Sequence, residues 1–477
     1  MNRAMTRKTV ALVLLLMLLT GLSTVAAQSG PPGSGWTTGM QLQNVGESRA
    51  DVRLYLYTPR GETIDCGGRS AQPGASVNYL VDAHCSIPNE FGGSAVVESN
   101  QPLRGIVHIN NAAVGQAGGI YTGMSMEEVS PTLLFPLVKH NHFGRTTTFH
   151  VQNAAGTPVN LTATFRVSGK TYTKQFNNVP ANAMVVIAPG DAGVPSGNGQ
   201  VGSLTVTGSG PLAGTSLEHQ HAAAVAQNLQ ASRAFTPADY DDKVYCPLFR
   251  NAHTGAQLTT GAQVQNVSNS QQTVTLTYKP RDGGQTITRQ ESVAPGASAT
   301  FYAPFLGIPA GSVGSVTITG QGNLVAVVND EGTENGLKRT TTYSCFPAAK
   351  ATKRVVMPLY KESWIGNTSG IQVQNVAEDG AAADIVITYI ATNGGQTVKL
   401  TPGVSVPAGG GTTFFGVSNR IFPPTMTVVS GNPATLAGTY GSVIIESNTP
   451  IVAIANESGF GPGASAQDSK NYEGFNQ

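Results

Sequence analysis

A four-residue motif occurs four times along this chain at nearly constant spacing, and that recurrence decides the architecture. Gln41-Leu-Gln-Asn44 comes back as His150-Val-Gln-Asn153, Gln263-Val-Gln-Asn266 and Gln372-Val-Gln-Asn375, with Asn-to-Asn spacings of 109, 113 and 109 residues. Gly93-Ser94, Gly202-Ser203 and Gly314-Ser315 follow 48 or 49 residues on; in the fourth copy Gly441-Ser442 follows 66 on, so that copy carries an insertion around Ser418–Gly438. A third marker is Pro102-Leu103, Pro211-Leu212, Asn323-Leu324 and Pro450-Ile451. Three copies close on Tyr121-Thr-Gly-Met124, Tyr343-Ser-Cys-Phe346 and Tyr472-Glu-Gly-Phe475; copy two is degenerate there. A unit of this length holds its own core. The chain therefore divides into tandem domains at 28–127, 128–238, 239–349 and 350–477, with linkers near Ser125–Pro131, Gln227–Lys243 and Pro347–Arg354.

Each copy reads as β. Positions 8, 10 and 12 after the marker Asn are apolar throughout, as in Leu161, Ala163 and Phe165 or Val274, Leu276 and Tyr278, with Thr162, Thr164, Thr275 and Thr277 between. Period two with one apolar face is a half-buried strand. Turns follow at Arg60-Gly61, Ser168-Gly169, Asp282-Gly283-Gly284 and Asn393-Gly394-Gly395. A second turn carries Pro73-Gly74, Pro180-Ala181, Pro295-Gly296 or Pro407-Ala408. The 57 Gly and 28 Pro disfavour a helical protein. About seven or eight short strands per ~110 residues predict an all-β chain of four antiparallel β-sandwich domains of immunoglobulin type.

The pattern resembles the tandem immunoglobulin-like or fibronectin-type modules of bacterial secreted and cell-surface proteins. The resemblance covers nearly all of the chain after the leader and implies a spacer, an adhesin or a binding surface. The expected form is a rod of four domains with a structural or adhesive role and no enzymatic activity.

Residues 1–27 read as a signal peptide. Arg3, Arg7 and Lys8 form the positive start, Val10 to Leu19 is apolar, and Val25 and Ala27 place cleavage after Ala27. The apolar run is short for a membrane span of ~20 residues. The processed protein is expected to be secreted or held at the cell surface, with no transmembrane anchor. Charged residues are 12% of the chain, with Lys+Arg 28 against Asp+Glu 27, which excludes a basic nucleic-acid binder and an acidic disordered chain. The partners left open are other copies of the chain and surface or matrix polymers.

The four cysteines pair by repeat. Cys66 and Cys85 share copy one; Cys246 and Cys345 share copy three, where sister copies carry Phe135 or Met357 and Gly123 or Gly474. Cysteines that appear together in one copy of an exported chain predict disulfides 66–85 and 246–345.

Four candidate sites stand out. His140, His142, His219 and His221 in copy two, together with His150, supply imidazoles suited to Zn, Cu or Ni, and His219 and His221 would share a strand face. Asp239-Tyr-Asp-Asp242 offers hard oxygens for Ca²⁺. Trp36 and Trp364, each just before a marker strand, are the candidate sugar platforms of a ligand-binding module. The Asn of the repeated pair is expected to bond the turn that follows it. HExxH, GxSxG and nucleotide-loop signatures are missing from the sequence.

The strand count does not close. Copies two to four open on Pro136-Leu137, Pro247-Leu248 and Pro358-Leu359; copy one would need its equivalent at 25–27, inside the leader, so either the first domain lacks its opening strand or this strand closes the preceding domain and the last one lacks it. An open sheet edge invites pairing with another chain, so head-to-tail self-assembly by strand addition is one expected outcome.

Overall fold

The structure, a computed structural model, describes residues 10–16, 31–89, 91–111, 117–224, 226–334, 337–459 and 469–477. It is all-β, with helix confined to single turns such as Val81–His84 and Pro189–Ala192. The charged start and the cleavage site of the leader expected from sequence lie outside the described residues. Among the described residues no helix is long and apolar enough to cross a membrane.

One strand plan recurs. The marker segments are strands Trp36–Asn44, Arg145–Asn153, Thr259–Asn266 and Asn367–Asn375. The alternating runs are strands Ala50–Tyr57, Val159–Val167, Gln272–Pro280 and Ile385–Ala391, with Leu161, Ala163 and Phe165 buried and Thr162 and Thr164 half-buried. In repeats two to four the Gly-Ser marker starts one long strand: Val201–Gln220, Ser312–Glu334 and Thr439–Gly459. Its first half pairs with the opening and alternating strands and its second half with the marker and closing strands, so it belongs to both layers. Two fully separate sheets, as the sequence suggested, are seen in repeat one alone, where this path breaks into Gly93–Ser99 and Leu103–Asn111. The glycine of the marker is a steric requirement. A Cβ at Gly93, Gly202, Gly314 or Gly441 would run into the backbone carbonyl of Tyr57, Arg166, Lys279 or Ile390 on the neighbouring strand.

The insertion in copy four adds the strand Thr427–Ser430, which pairs with Thr397–Thr401. The segment expected as a linker at 227–243 contains strand Leu229–Arg233, the counterpart in repeat two of the Tyr-bearing closing strands, with Ser232 in place of the tyrosine. Its polar, small composition hid it from the sequence pattern.

The repeated Asn is a turn staple. Asn153 is fully buried; its amide donates to Thr157 O at 2.8 Å and Val179 O at 3.0 Å, and its carbonyl accepts from Ala155 N at 2.8 Å. Asn44, Asn266 and Asn375 make the same three kinds of bond.

The marker serines close a ring. Ser94 of repeat one donates to Asn182 O of repeat two, and Ser203 of repeat two to Gly296 O of repeat three at 2.7 Å. Ser315 of repeat three donates to Gly409 O of repeat four at 2.7 Å, and Ser442 of repeat four returns to Gly74 O of repeat one at 2.7 Å. In repeats one to three the marker glutamines reach the same carbonyls from within the receiving repeat, Gln43 to Gly74 O at 3.0 Å, Gln152 to Asn182 O at 3.1 Å and Gln265 to Gly296 O at 3.2 Å, while Gln374 of repeat four makes no such bond. Two repeated markers are thus halves of one inter-repeat joint, each bond contributing about 1 kcal/mol. The four units form a closed cycle and not the rod expected from their order in sequence.

Candidate functional site

The closing strands Ala117–Thr122, Leu229–Arg233, Leu337–Ser344 and Ser469–Glu473 come together where the four repeats meet. Small residues let them approach: a Cβ on Gly119 would sit 3.0 Å from the Cβ of Ala231. Gln230 donates to Thr341 O at 2.8 Å and Asn471 to Thr341 Oγ1 at 3.0 Å, so side-chain amides tie the middle of the axis.

At the end of these strands the packing opens. Thr122, Arg233, Ser344 and Glu473 hold the equivalent position in the four repeats, and all line one cavity of about 330 Å³ with Arg104 and Lys350. Glu473 accepts from Thr122 Oγ1 at 3.3 Å and from the Ser344 amide. Arg233 is pinned on Asp239 at 2.5 Å, and Lys350 reaches the same carboxylate at 2.7 Å. Burial alone would raise the Asp239 pKa; the two cations overcome it and hold the group at about 2. The cavity therefore presents both charge signs on a rigid wall, a setting for a small dipolar molecule.

Three of the four repeats also carry a buried ion pair where the long strand crosses the marker strand. Glu218, Asp330 and Glu457 lie opposite Thr147, Thr260 and Ser369 in equivalent register. Glu218 meets Lys139 and Arg145, each at 3.0 Å; Asp330 meets Arg250 at 2.6 Å; Glu457 meets Lys361 at 2.8 Å. Lys139, Arg250 and Lys361 each stand third after the proline of an opening strand. In repeat one the same register position, opposite Thr38, is Ile109.

The sequence-derived candidates separate in the structure. His140 and His221 face each other with ring centroids 5.5 Å apart, while His140 Nδ1 bonds Val194 O at 2.8 Å and His221 Nδ1 bonds Thr146 Oγ1 at 2.7 Å. His142 accepts from the Gly199 amide at 3.0 Å. His219 is buried at 4% exposure, and its strand ends at Gln220, so alternation no longer aligns it with His221. His150 is wholly buried beside Thr148. Among the described residues no three His, Cys, Asp or Glu groups converge on a metal position. The acidic run does not converge as a Ca²⁺ site: Asp239 is neutralised by Arg233 and Lys350, and Asp241 bonds the Lys243 and Ala349 amides. Trp36 is 3% exposed inside the core of repeat one, its indole donating to Pro32 O at 3.3 Å, and offers no platform. Trp364 lies against Tyr440 with centroids 4.8 Å apart and is half-buried. Both expected disulfides are formed, Cys66–Cys85 and Cys246–Cys345, with Cα separations of 4.5 and 4.7 Å. The axial cavity was missed in the sequence, although the closing markers that line it were seen; their convergence depends on a ring closure that no local pattern reports.

No protein-family model matches the chain, and no curated protein matches it. Among solved structures, a Thermotoga maritima protein, 1070, is 14% identical over 22% of this chain and 94% of its own, with a TM-score of 0.20. A Ca²⁺-stabilized adhesin with which an Antarctic bacterium binds ice is 13% identical over 94% and 99%, with a TM-score of 0.11. A glycoside hydrolase family 32 protein from Bifidobacterium adolescentis is 9% identical over 89% and 98%, with a TM-score of 0.14. Superposition this poor supports no argument about fold or activity.

Proposed function

We propose that this chain is an exported, non-enzymatic structural or adhesive protein of the cell surface or extracellular matrix. In this reading four immunoglobulin-like units follow a signal peptide that is removed on export, and the ring acts as a stiff scaffold for surface or matrix polymers. The observation that carries it is the joint repeated from unit to unit, Ser442 to Gly74 completing the cycle, which links the four modules in one closed ring. The two disulfides suit an oxidising compartment. Fractionation of the producing cell with thiol tagging tests the export half: the protein should be found outside the cytoplasm, take no tags before reduction and four after. A cytoplasmic, fully tagged chain would overturn the reading. Attachment of the producing cells to surfaces should fall when the protein is deleted and return when it is resupplied; unchanged attachment would remove the adhesive role.

A second reading, a ligand-binding module, is favoured by the axial cavity and its facing charges. Calorimetry with glycine betaine and free amino acids is expected to show one site per chain, weakened at least tenfold by Glu473→Gln. Absence of heat with every probe would remove this reading.

A further inference from the structure

In repeats two to four the opening strand is built into its own repeat: Ser130–His142, Asp241–Asn251 and Thr352–Glu362 pair with the first half of the long strand. In repeat one that slot is held by the leader. Val10–Leu16 runs antiparallel to Gly93–Ser99 from Val10 opposite Ser99 to Leu16 opposite Gly93, and touches Met124–Ser125 on its other side. Removal of residues 1–27 on export, the reading given above, would leave Gly93–Ser99 with one unpaired edge inside a sheet.

The slot is shaped for a strand that the leader does not match. Each resident opening strand shifts register at its Pro-Leu pair, between Phe135 and Val138, Cys246 and Phe249, and Met357 and Tyr360; the leader pairs without a shift. In repeats three and four that bulge is read by the closing tyrosine. Tyr343 accepts from Leu248 N at 3.1 Å and donates to Leu248 O at 2.6 Å, and Tyr472 bonds Leu359 N and O in the same way. Tyr121 is their counterpart in repeat one. It is 2% exposed, and its hydroxyl has no partner. A buried hydroxyl without a partner forfeits the hydrogen bonds that water gives it in the unfolded chain, and an incoming Pro-Leu bulge would supply the missing N–H and C=O. The position opposite Thr38 supplies the second constraint. Ile109 stands where Glu218, Asp330 and Glu457 receive the Lys or Arg of their opening strands, so a charged residue at that place would be buried without a counter-ion.

We propose that repeat one of the exported chain takes its opening strand from a different protein. The donor is an extended apolar segment with a Pro-Leu bulge and an uncharged residue third after the proline. Counting assigns the donor to another protein: each copy brings four slots and, among the described residues past the leader, three opening strands. Exchange between copies moves the deficit and never fills it, which weighs against the self-assembly expected from sequence. The exposed N–H and C=O groups of Gly93–Ser99 give main-chain affinity, and the hydroxyl and Ile109 set the side-chain preference.

The test uses protein recovered from the producing cell after export, with intact mass defining its N-terminus. The probes are a peptide copying Arg354–Lys361 and a variant with threonine for its last residue. One peptide per chain should bind by native mass spectrometry, and the Gly93–Ser99 amides, fast-exchanging before addition, should slow at least tenfold. The threonine variant should bind roughly tenfold tighter than the lysine one, and Tyr121→Phe should weaken both by a similar factor. Tyr343→Phe, whose partner strand is resident, should leave peptide affinity unchanged. Retained residues 1–27, slow exchange of Gly93–Ser99 without peptide, or no binding to an open slot would each overturn the proposal. An exported, disulfide-bonded protein that binds no peptide sinks the donor strand alone; a cytoplasmic one sinks the export reading beneath it.

Discussion

Replacing Cys246 and Cys345 together by alanine is expected to lower the stability of repeat three by about 4.7 kcal/mol from the cross-link alone, because the bond spans 99 residues. The Cys66–Cys85 bond spans 19, and its removal should cost nearer to 3 kcal/mol. The larger effect has a packing part as well. Cys246 and Cys345 are 0% and 3% exposed, so alanine leaves space as well as freeing the chain. Repeat four shows how the same place is filled without sulfur bonding. There Met357 lies 3.6 Å from the Cβ position of Gly474, in the places of Cys246 and Cys345. A Cys246→Met, Cys345→Gly double variant should therefore recover the packing and keep the cross-link deficit, ending between alanine and wild type. Urea unfolding of the three proteins, compared by midpoint at constant slope, measures this. If the double-alanine protein unfolds within about 1 kcal/mol of wild type, the bond is not what ties the opening strand to the closing motif.

How far this fold was legible in sequence follows from the range of each interaction. The Asn staple was readable because two of its three partners lie within the turn that follows it, as with Thr157 and Ala155 for Asn153. The disulfides were readable because sister repeats acted as internal controls: a pair of cysteines where the others have Met357 and Gly474 has one simple explanation. The Gly-Ser marker was visible as a repeat, but its purpose was not. Gly202 answers to the carbonyl of Arg166 on a neighbouring strand, and Ser203 to Gly296 in the next repeat. Both partners are distant in sequence. Trp36 failed as a surface platform for a similar reason. A tryptophan before a strand is exposed only if nothing covers that end, and here the chain at Pro32 folds over it. The histidines failed because alternation holds only while a strand continues, and the strand stops between His219 and His221.

The missing opening strand was legible as arithmetic, and the structure adds its chemistry. In sequence Tyr121 is only one member of a repeated Tyr motif. Its hydroxyl becomes informative once Tyr343 and Tyr472 show what that hydroxyl does when its strand is present. Repeat two, with Ser232 there, lacks the contact; its bridge between Leu134 and Phe235 is one that repeats three and four share, as Tyr245 with Phe346 and Val356 with Phe475.

Acid should take the ring apart in two stages, and the first begins at an unusually mild pH. His150 and His219 are buried and His108 is half-buried, and desolvation pushes each below the ordinary imidazole value, His219 to about 4. His253, less deeply placed and beside Arg250 and Arg281, is also lowered to about 4, chiefly by desolvation. A histidine whose pKa is lower folded than unfolded binds fewer protons when folded between those two values. Stability then falls as pH drops from about 6.5 towards 4, and the loss is complete below the folded value. For His219, flanked by Arg145, Glu218 and His221, the loss is about 2 kcal/mol at pH 5 and about 3 at pH 4. The second stage comes from carboxylates with the opposite sign. Glu218 and Asp239 are held at about 2 by Lys139 with Arg145 and by Arg233 with Lys350, against the upward push of burial. Their contribution is intact above the ordinary carboxylate range and disappears as pH falls through it towards 2. Melting temperature should therefore decline as pH falls below about 6.5, and decline further below about 4.5. His219→Gln, which removes one titrating group and retains an amide, should flatten the first decline by roughly its 2 kcal/mol share at pH 5 while leaving the second untouched. A melting temperature that stays level from pH 7 to pH 5 in the native protein would mean that these imidazoles are protonated in the folded ring, and that the burial assigned to them is wrong.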